Sequence, residues 1–131
     1  MKVLIVDDML YIRNILTRSI AHIDETIEIF TADSDFAAVD LAKEHRPDLI
    51  TLDLTMPGLG GDKLITKLLK ASPDSKVAVL SALYYDEMKK KMAKKGAAYY
   101  MVKPVKLDRL TQIINEVREG MSASSDSLKK K

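Results

Sequence analysis

Three carboxylates and one lysine stand directly after short apolar runs in this chain. Asp7 and Asp8 follow Val3-Leu4-Ile5-Val6, Asp53 closes Leu49-Ile50-Thr51-Leu52, and Lys103 with Pro104 follows Tyr99-Tyr100-Met101-Val102. Apolar runs this short, bounded by turn-forming residues, read as buried strands. If those strands lie side by side and parallel, the crevice outside their carboxyl ends collects all four groups. Such a set suits hard-cation and phosphoryl chemistry. Carboxylate oxygens match Mg2+, which keeps several waters and takes few protein ligands, and an ammonium offers a point charge to a phosphate oxygen.

Each of these residues also has a plainer reading. An Asp-Asp pair after a strand serves as a helix N-cap with a favourable negative charge at the helix start, whereas adjacent like charges repel and call for a cation. Asp53 alone is equally ambiguous, but Met56-Pro57-Gly58 and Gly60-Gly61 make the next segment turn-rich. That puts Asp53 at a strand-to-loop junction, where backbone amides reach a ligand. Lys103 is either an exposed turn lysine or a side chain aimed by the extended backbone that a following proline imposes, in a bond type that also admits cis. Ser81 either caps the next helix or bonds a phosphoryl oxygen. Tyr99 and Tyr100 read as core and surface aromatics. His22 and His45 fall on helices without metal-ligand spacing, so neither reads as catalytic.

Strand-like and helix-like segments alternate along the chain, which argues for an α/β fold with a parallel sheet. The patterns predict strands over residues 2–6, 27–31, 48–53, 76–81 and 98–102, with helices over 10–22, 35–44, 62–71, 84–95 and 107–119. Ile12, Leu16, Ile20 and Ile23 form one apolar helical stripe, and Leu107, Leu110, Ile114 and Val117 another. The fourth helix carries only Tyr84, Met88 and Met92 against Lys89, Lys90, Lys91, Lys94 and Lys95, so weak anchoring is expected. Pro47 and Pro73 end helices, and Gly96 suits a left-handed cap after basic last-turn residues.

The 131 residues suffice for one domain with its own core. Lys and Arg number 21 against 19 Asp and Glu, a net charge of +2. Residues 122–131 alone hold three lysines and one aspartate, so residues 1–121 sum to zero and give no support for nucleic-acid binding. The chain has no cysteine, no charged-plus-apolar leader and no apolar run near membrane-spanning length, so a soluble cytoplasmic protein is expected. The composition divides it into a domain over 1–121 and a flexible tail, or the start of a linker, over 122–131.

Taken together, these residues resemble the receiver domain of bacterial two-component response regulators, single-domain chemotaxis-type regulators included. The likeness covers residues 1 to about 120 and rests on Asp7-Asp8, Asp53 with Met56-Pro57 and Gly61, Ser81-Ala82, Tyr100 and Lys103-Pro104, in the family's order and approximate spacing. It implies a flavodoxin-like, doubly wound, five-stranded parallel sheet of order 2-1-3-4-5 with helices on both faces. By the same resemblance Asp53 is the phosphoacceptor, Asp8 binds Mg2+ directly, Asp7 acts through water, and the backbone carbonyl of Thr55 completes the protein ligands. Lys103 pairs with the phosphoryl group, the Ser81 hydroxyl moves toward it, and Tyr100 turns inward to follow.

The resemblance also implies partners. The phosphoryl donor is a sensor histidine kinase or a histidine phosphotransfer protein, and the output is a downstream protein bound on the fourth helix, fifth strand and fifth helix. Direct nucleic-acid or membrane binding is not expected, and the chain is a monomer, or a dimer on phosphorylation. It is not an enzyme with external turnover, because it accepts a phosphoryl group and slowly hydrolyses its own aspartyl phosphate. Slow hydrolysis follows from Thr55 and Leu83, which lack an acid or amide to orient water. Serine at position 81, where threonine is commoner, is less restricted in χ1. Asp35 stands where glycine is common and Met9 where serine is frequent, departures that bear on partner choice.

Three other readings compete. The chain is the N-terminal receiver of a larger transcriptional regulator; or an aspartyl-phosphate hydrolase of haloacid dehalogenase type; or a scaffold that binds its partner without phosphorylation. The hydrolase reading calls for a second aspartate two residues after the nucleophile, and Thr55 stands there.

Overall fold

The computed structural model describes residues 1–82 and 84–129, with side chains described up to Met121. The readings made for Leu83 and for the tail from Ser122 onward lie outside the described residues. Five strands alternate with five helices: β1 (Lys2–Val6), α1 (Leu10–Ile23), β2 (Glu28–Ala32), α2 (Asp35–His45), β3 (Leu49–Asp53), α3 (Gly61–Ala71), β4 (Lys76–Ser81), α4 (Asp86–Lys94), β5 (Ala97–Val102) and α5 (Leu107–Lys129). All strand pairs are parallel, and the sheet order is β2-β1-β3-β4-β5. This is the flavodoxin-like arrangement that the resemblance implies. Among the described residues no helix is long and apolar enough to cross a membrane.

The order decides which face of the sheet each helix covers. A parallel pair needs a crossover, and crossovers are right-handed, so reversing the direction of travel along the sheet moves the connecting helix to the other face. The chain steps from β1 outward to β2, then back across β1 to β3 and onward. The two cores record this division. Leu4, Val6, Ile50, Leu52, Val77 and Val79 pack with α2, α3 and Met92 of α4. Val3, Ile5, Leu49, Ala78, Leu80 and Met101 pack with Leu16 and Ile20 of α1 and with Leu110, Ile113, Ile114 and Val117 of α5. With both faces covered, β3 is buried at every position and β1 from Val3 to Val6, which is why their sequences are apolar without alternation.

Local signals set the ends. Ser34 caps α2, its hydroxyl oxygen accepting from the Ala37 N–H at 3.2 Å. The same helix stops at Arg46, which takes a left-handed conformation ahead of Pro47. Gly96 adopts φ +113° between α4 and β5, and a Cβ there would come within 2.4 Å of Leu69 Cδ1. β2 lies one residue later than its hydrophobicity suggests, because register with β1 pairs Lys2 with Glu28 and Val6 with Ala32. α4 is shorter than predicted, beginning at Asp86. Tyr85 ahead of it is extended and supplies no side-chain cap. Tyr84 therefore leaves the apolar stripe and meets Tyr100 edge to face, ring centroids 5.9 Å apart. Met92 is then the one α4 side chain fully buried.

Ile50 lies at the centre of the sheet and is inaccessible to solvent. Ile50→Ala is expected to lower unfolding stability by about 2–5 kcal/mol in urea titration, the range for truncating a buried aliphatic chain in a packed core. A loss below about 1 kcal/mol would mean that β3 is not the packed centre.

Candidate functional site

The parallel sheet brings Asp7, Asp8, Asp53 and Lys103 to one crevice. Asp7 follows β1 and its N–H donates to the Ala32 carbonyl at 3.1 Å, extending the ladder with β2 by one step. Asp53 ends β3, paired in register with Leu80 of β4, and the next N–H, of Leu54, donates to the Leu80 carbonyl at 2.9 Å. Lys103 follows β5 through a cis bond to Pro104, and its N–H donates to the Ser81 carbonyl at 2.8 Å. Asp7, Asp53 and Lys103 are thus seated by backbone hydrogen bonds at or beside the ends of their strands, so their geometry is that of the sheet.

Lys103 Nζ lies 3.2 Å from Asp53 Oδ1 and 3.8 Å from Asp7 Oδ2. Asp7 and Asp53 are buried while Asp8 is exposed. One oxygen from each of the three carboxylates falls within 4.8 Å of the others. Asp7 Oδ1 accepts from the Met9 N–H at 2.9 Å, but Asp7 Oδ2 is buried without a hydrogen bond. Burial pushes the Asp7 carboxyl above its ordinary value. The Met9 N–H opposes this, the charge of Asp53 adds to it, and Lys103 offsets part. Three carboxylates facing one ammonium leave a site short of positive charge. A buried oxygen with no donor, beside two further hard oxygens, fits a divalent cation.

The plainer readings of these residues do not match the geometry. The N-cap of α1 is Met9, not Asp7 or Asp8, and the N-cap position of α4 is Tyr85, not Ser81. Lys103 is turned inward rather than out into solvent. Ser81 ends β4 opposite Val102, next to both Asp53 and Lys103 along the sheet edge. Tyr100 sits further back on β5, packed against the α2–α4 side of the sheet, whereas Tyr99 packs on the α1 and α5 side.

Two residues of the site carry more than their sequence suggested. The resemblance assigns a role to the Thr55 backbone carbonyl alone, yet its side chain also engages Asp53: the hydroxyl lies 2.8 Å from Oδ1 and 3.0 Å from Oδ2, and the Thr55 N–H donates to Oδ1 at 3.0 Å. Arg13 is a second residue whose role emerges only from the structure. Its guanidinium donates to the Asp7 carbonyl at 2.8 Å, tying α1 to the loop that carries the two acidic residues. The only signal in the sequence is a basic residue in the first turn of α1, beside apolar Leu10 and Ile12.

This fold with acidic strand ends and a facing lysine defines a class, and comparison identifies it. Residues 3–115 match the family model for the response regulator receiver domain. The chain is 37% identical over 119 residues to the response regulator GacA of Pseudomonas aeruginosa, covering 91% of this chain and 56% of that protein. It is 34% identical over 116 residues to the chemotaxis protein CheY of Thermotoga maritima, covering 88% of this chain and 96% of that one. The crystallised chemotaxis protein CheY4 of Vibrio cholerae superimposes with a TM-score of 0.80 at 26% identity, covering 88% of this chain and 97% of that one. The chain belongs to the response regulator receiver domain family. It spans about half the length of GacA and nearly all of the chemotaxis proteins.

Because its folded-state pKa is raised, Asp7 favours the native state when protonated, and this contribution is lost as pH rises through that raised value. At pH 7 the buried charge is therefore a burden on the cation-free protein. Asp7→Asn, which keeps the acceptor for Met9, is expected to melt above the parent at pH 7 in chelator. The gain should shrink on acidification and vanish below the ordinary aspartate value of 3.8. A variant that melts at or below the parent at pH 7 would show that the carboxylates are already compensated.

Proposed function

We propose that this chain is a phospho-accepting switch, in which Asp53 takes a phosphoryl group from a histidine kinase or histidine phosphotransfer protein. The observation that carries the reading is Lys103 Nζ at 3.2 Å from Asp53 Oδ1, with oxygens of Asp7 and Asp8 within 4.8 Å of that carboxylate. Asp8, the Thr55 carbonyl and Asp53 would hold Mg2+ directly, with Asp7 acting through water. The ion would supply the positive charge that brings phosphoryl oxygens up to an anionic nucleophile. An Asp53 oxygen attacks phosphorus, the O–P bond forms as the N–P bond breaks, and the departing imidazole takes up a proton. Such transfer depends on positioning and charge neutralisation more than on covalent help. Thr55 positions the nucleophile through both its N–H and its hydroxyl, and Lys103 meets the transferred group.

The same residues argue against turnover of external substrates. A dehalogenase-type hydrolase needs an acid/base two residues after the nucleophile, and there Thr55 offers a hydroxyl committed to Asp53. The aspartyl phosphate is therefore long-lived and acts as a signal. Ser81 and Tyr100 would carry that signal along β4 and β5 to a face made of α4, β5 and α5. Lys89, Lys90, Lys91, Lys94 and Lys95 of α4 are all exposed, with Lys91 turned toward Asp62 of α3 at 4.0 Å, and this basic helix suits an acidic partner surface. We place this activity in the cytoplasm, with a stand-alone regulator as the first reading. A second reading, as the receiver of a larger regulator, rests on the match to GacA, of which the chain covers 56%.

Incubation with acetyl phosphate and Mg2+ is expected to add one phosphoryl mass, and the gain should disappear in Asp53→Asn and in chelator. Mass added in either control would sink the assignment. A phosphoryl mimic with Mg2+ should also change amide exchange from Asp53 through Met88 to Tyr100. Full conversion from 1:99 to 99:1 needs about 5.5 kcal/mol of differential binding, so a partial shift completed by the partner is expected. Changes confined to the loops around Asp53 would refute the proposed output face.

A further inference from the structure

From the geometry we infer that Asp35, at the start of α2, is a positioning residue that latches the loop carrying the phosphoacceptor's neighbours. That loop, residues 54–60, leaves β3 at Asp53 and enters α3 at Gly61. Its near end is held by Thr55 on the Asp53 carboxylate and by Met56, which is buried in the core. Beyond Met56, residues 57–60 are exposed, and they include glycines at φ +125° and +92°. Glycine at these values costs the chain conformational freedom on ordering, so the segment needs an external restraint to keep one shape.

Asp35 supplies that restraint. Its Oδ1 accepts from the Phe36 N–H at 2.8 Å, which fixes the carboxylate to its own helix, and its Oδ2 accepts from the Leu59 N–H at 3.2 Å. Among the described residues no other side chain hydrogen-bonds residues 57–60. The fit is close: a Cβ at Gly58 would stand 2.6 Å from Asp35 Oδ2, so the bare glycine is what lets the carboxylate reach over to Leu59. The bridge joins elements 24 positions apart in sequence. It closes the loop at the end opposite Asp53, against a near anchor that includes Thr55, whose carbonyl and hydroxyl serve the site. Releasing the outer anchor lets Thr55 sample positions in which neither points correctly.

An ordinary explanation exists for the same aspartate. An acidic residue in the first turn of a helix stabilises that helix through its exposed N–H groups. The two roles separate experimentally, because the Ser34 cap acts on the same helix end without touching the loop. The decisive measurement is amide exchange at Leu59 and Thr55 in the full chain without Mg2+, compared among the parent, Asp35→Ala, Asp35→Asn and Ser34→Ala. Asp35→Ala is expected to raise Leu59 exchange roughly tenfold, the equivalent of about 1.4 kcal/mol, and Thr55 exchange in the same direction. Asp35→Asn, whose single amide oxygen accepts from only one of the Phe36 and Leu59 N–H groups, should fall between the parent and Asp35→Ala, and Ser34→Ala should lower the melting temperature yet leave both amides unmoved. Parental exchange at Thr55 in Asp35→Ala, or equal changes in Ser34→Ala, overturns the latch. A second arm rests on the proposed function: the Mg2+ concentration that half-saturates the Thr55 and Asp8 amide shifts should rise several-fold in Asp35→Ala. If Mg2+ leaves the parent spectrum unchanged, the proposed function fails, while the exchange data still decide the latch.

Discussion

Crowding of like charge at the carboxyl edge of the sheet is the constraint on which the rest of the structure depends. Asp7, Asp8 and Asp53 bring oxygens within 4.8 Å of one another, and one ammonium, Lys103, faces two of them. Left on a flexible chain these groups would separate. They stay together because Asp7 and Lys103 are each anchored by a backbone hydrogen bond at a strand end and Asp53 closes the fully buried β3, so moving any one of these three would disturb the sheet. Apolar burial contributes roughly 25 cal/mol per Å² along each strand, so hydrophobic packing away from the site holds the charges in an arrangement they would not choose.

Topology explains why these residues in particular can meet. Asp7 and Asp53 come from neighbouring strands, β1 and β3, on either side of the point where the strand order reverses. No helix crosses the sheet end there, which leaves the crevice open to a ligand. Lys103 arrives from β5, with β4 intervening. Strands lie about 4.8 Å apart, so β3 and β5 are separated by roughly twice that. A four-carbon lysine spans much of such a gap where a shorter cation-bearing side chain would not. Ser81, on the intervening strand, occupies the position between them.

The molecule is unevenly anchored around this edge. β1 and β3 are buried along nearly their whole length, while α4 rests on Met92, with Met88 partly buried beside it, and turns its lysines to solvent. Elements with few buried contacts open at lower free energy than the core, and α4 is such an element beside the rigid edge. Tyr84 and Tyr100, in edge-to-face contact, stand at the junction between the two regimes, and Lys89 lies 6.0 Å above the Tyr84 ring. The loop after Asp53 is the other compliant region, and there Asp35 provides the restraint that core packing does not.

The alternation of strand and helix patterns, the uninterrupted apolar runs and the polar residues that end them were all legible in the chain itself. They determined an α/β parallel sheet and the residues at its carboxyl edge, because strand burial and chain reversal leave local compositional marks. The strand order came from resemblance rather than from pattern, since pairing among parallel strands is a non-local choice. Where a local pattern competed with pairing or packing, it misled: β2 shifted by one residue to keep register with β1, and Tyr84 left the fourth helix to meet Tyr100. Only the tertiary structure decided how the side chains act on one another. It set the 3.2 Å approach of Lys103 to Asp53, left Asp7 Oδ2 buried without a hydrogen bond, turned the Thr55 hydroxyl onto Asp53, and brought Asp35 to Leu59. These relations join residues far apart in sequence or depend on burial. A linear chain records which residues are present, whereas their distance and solvation exist only once the sheet has formed.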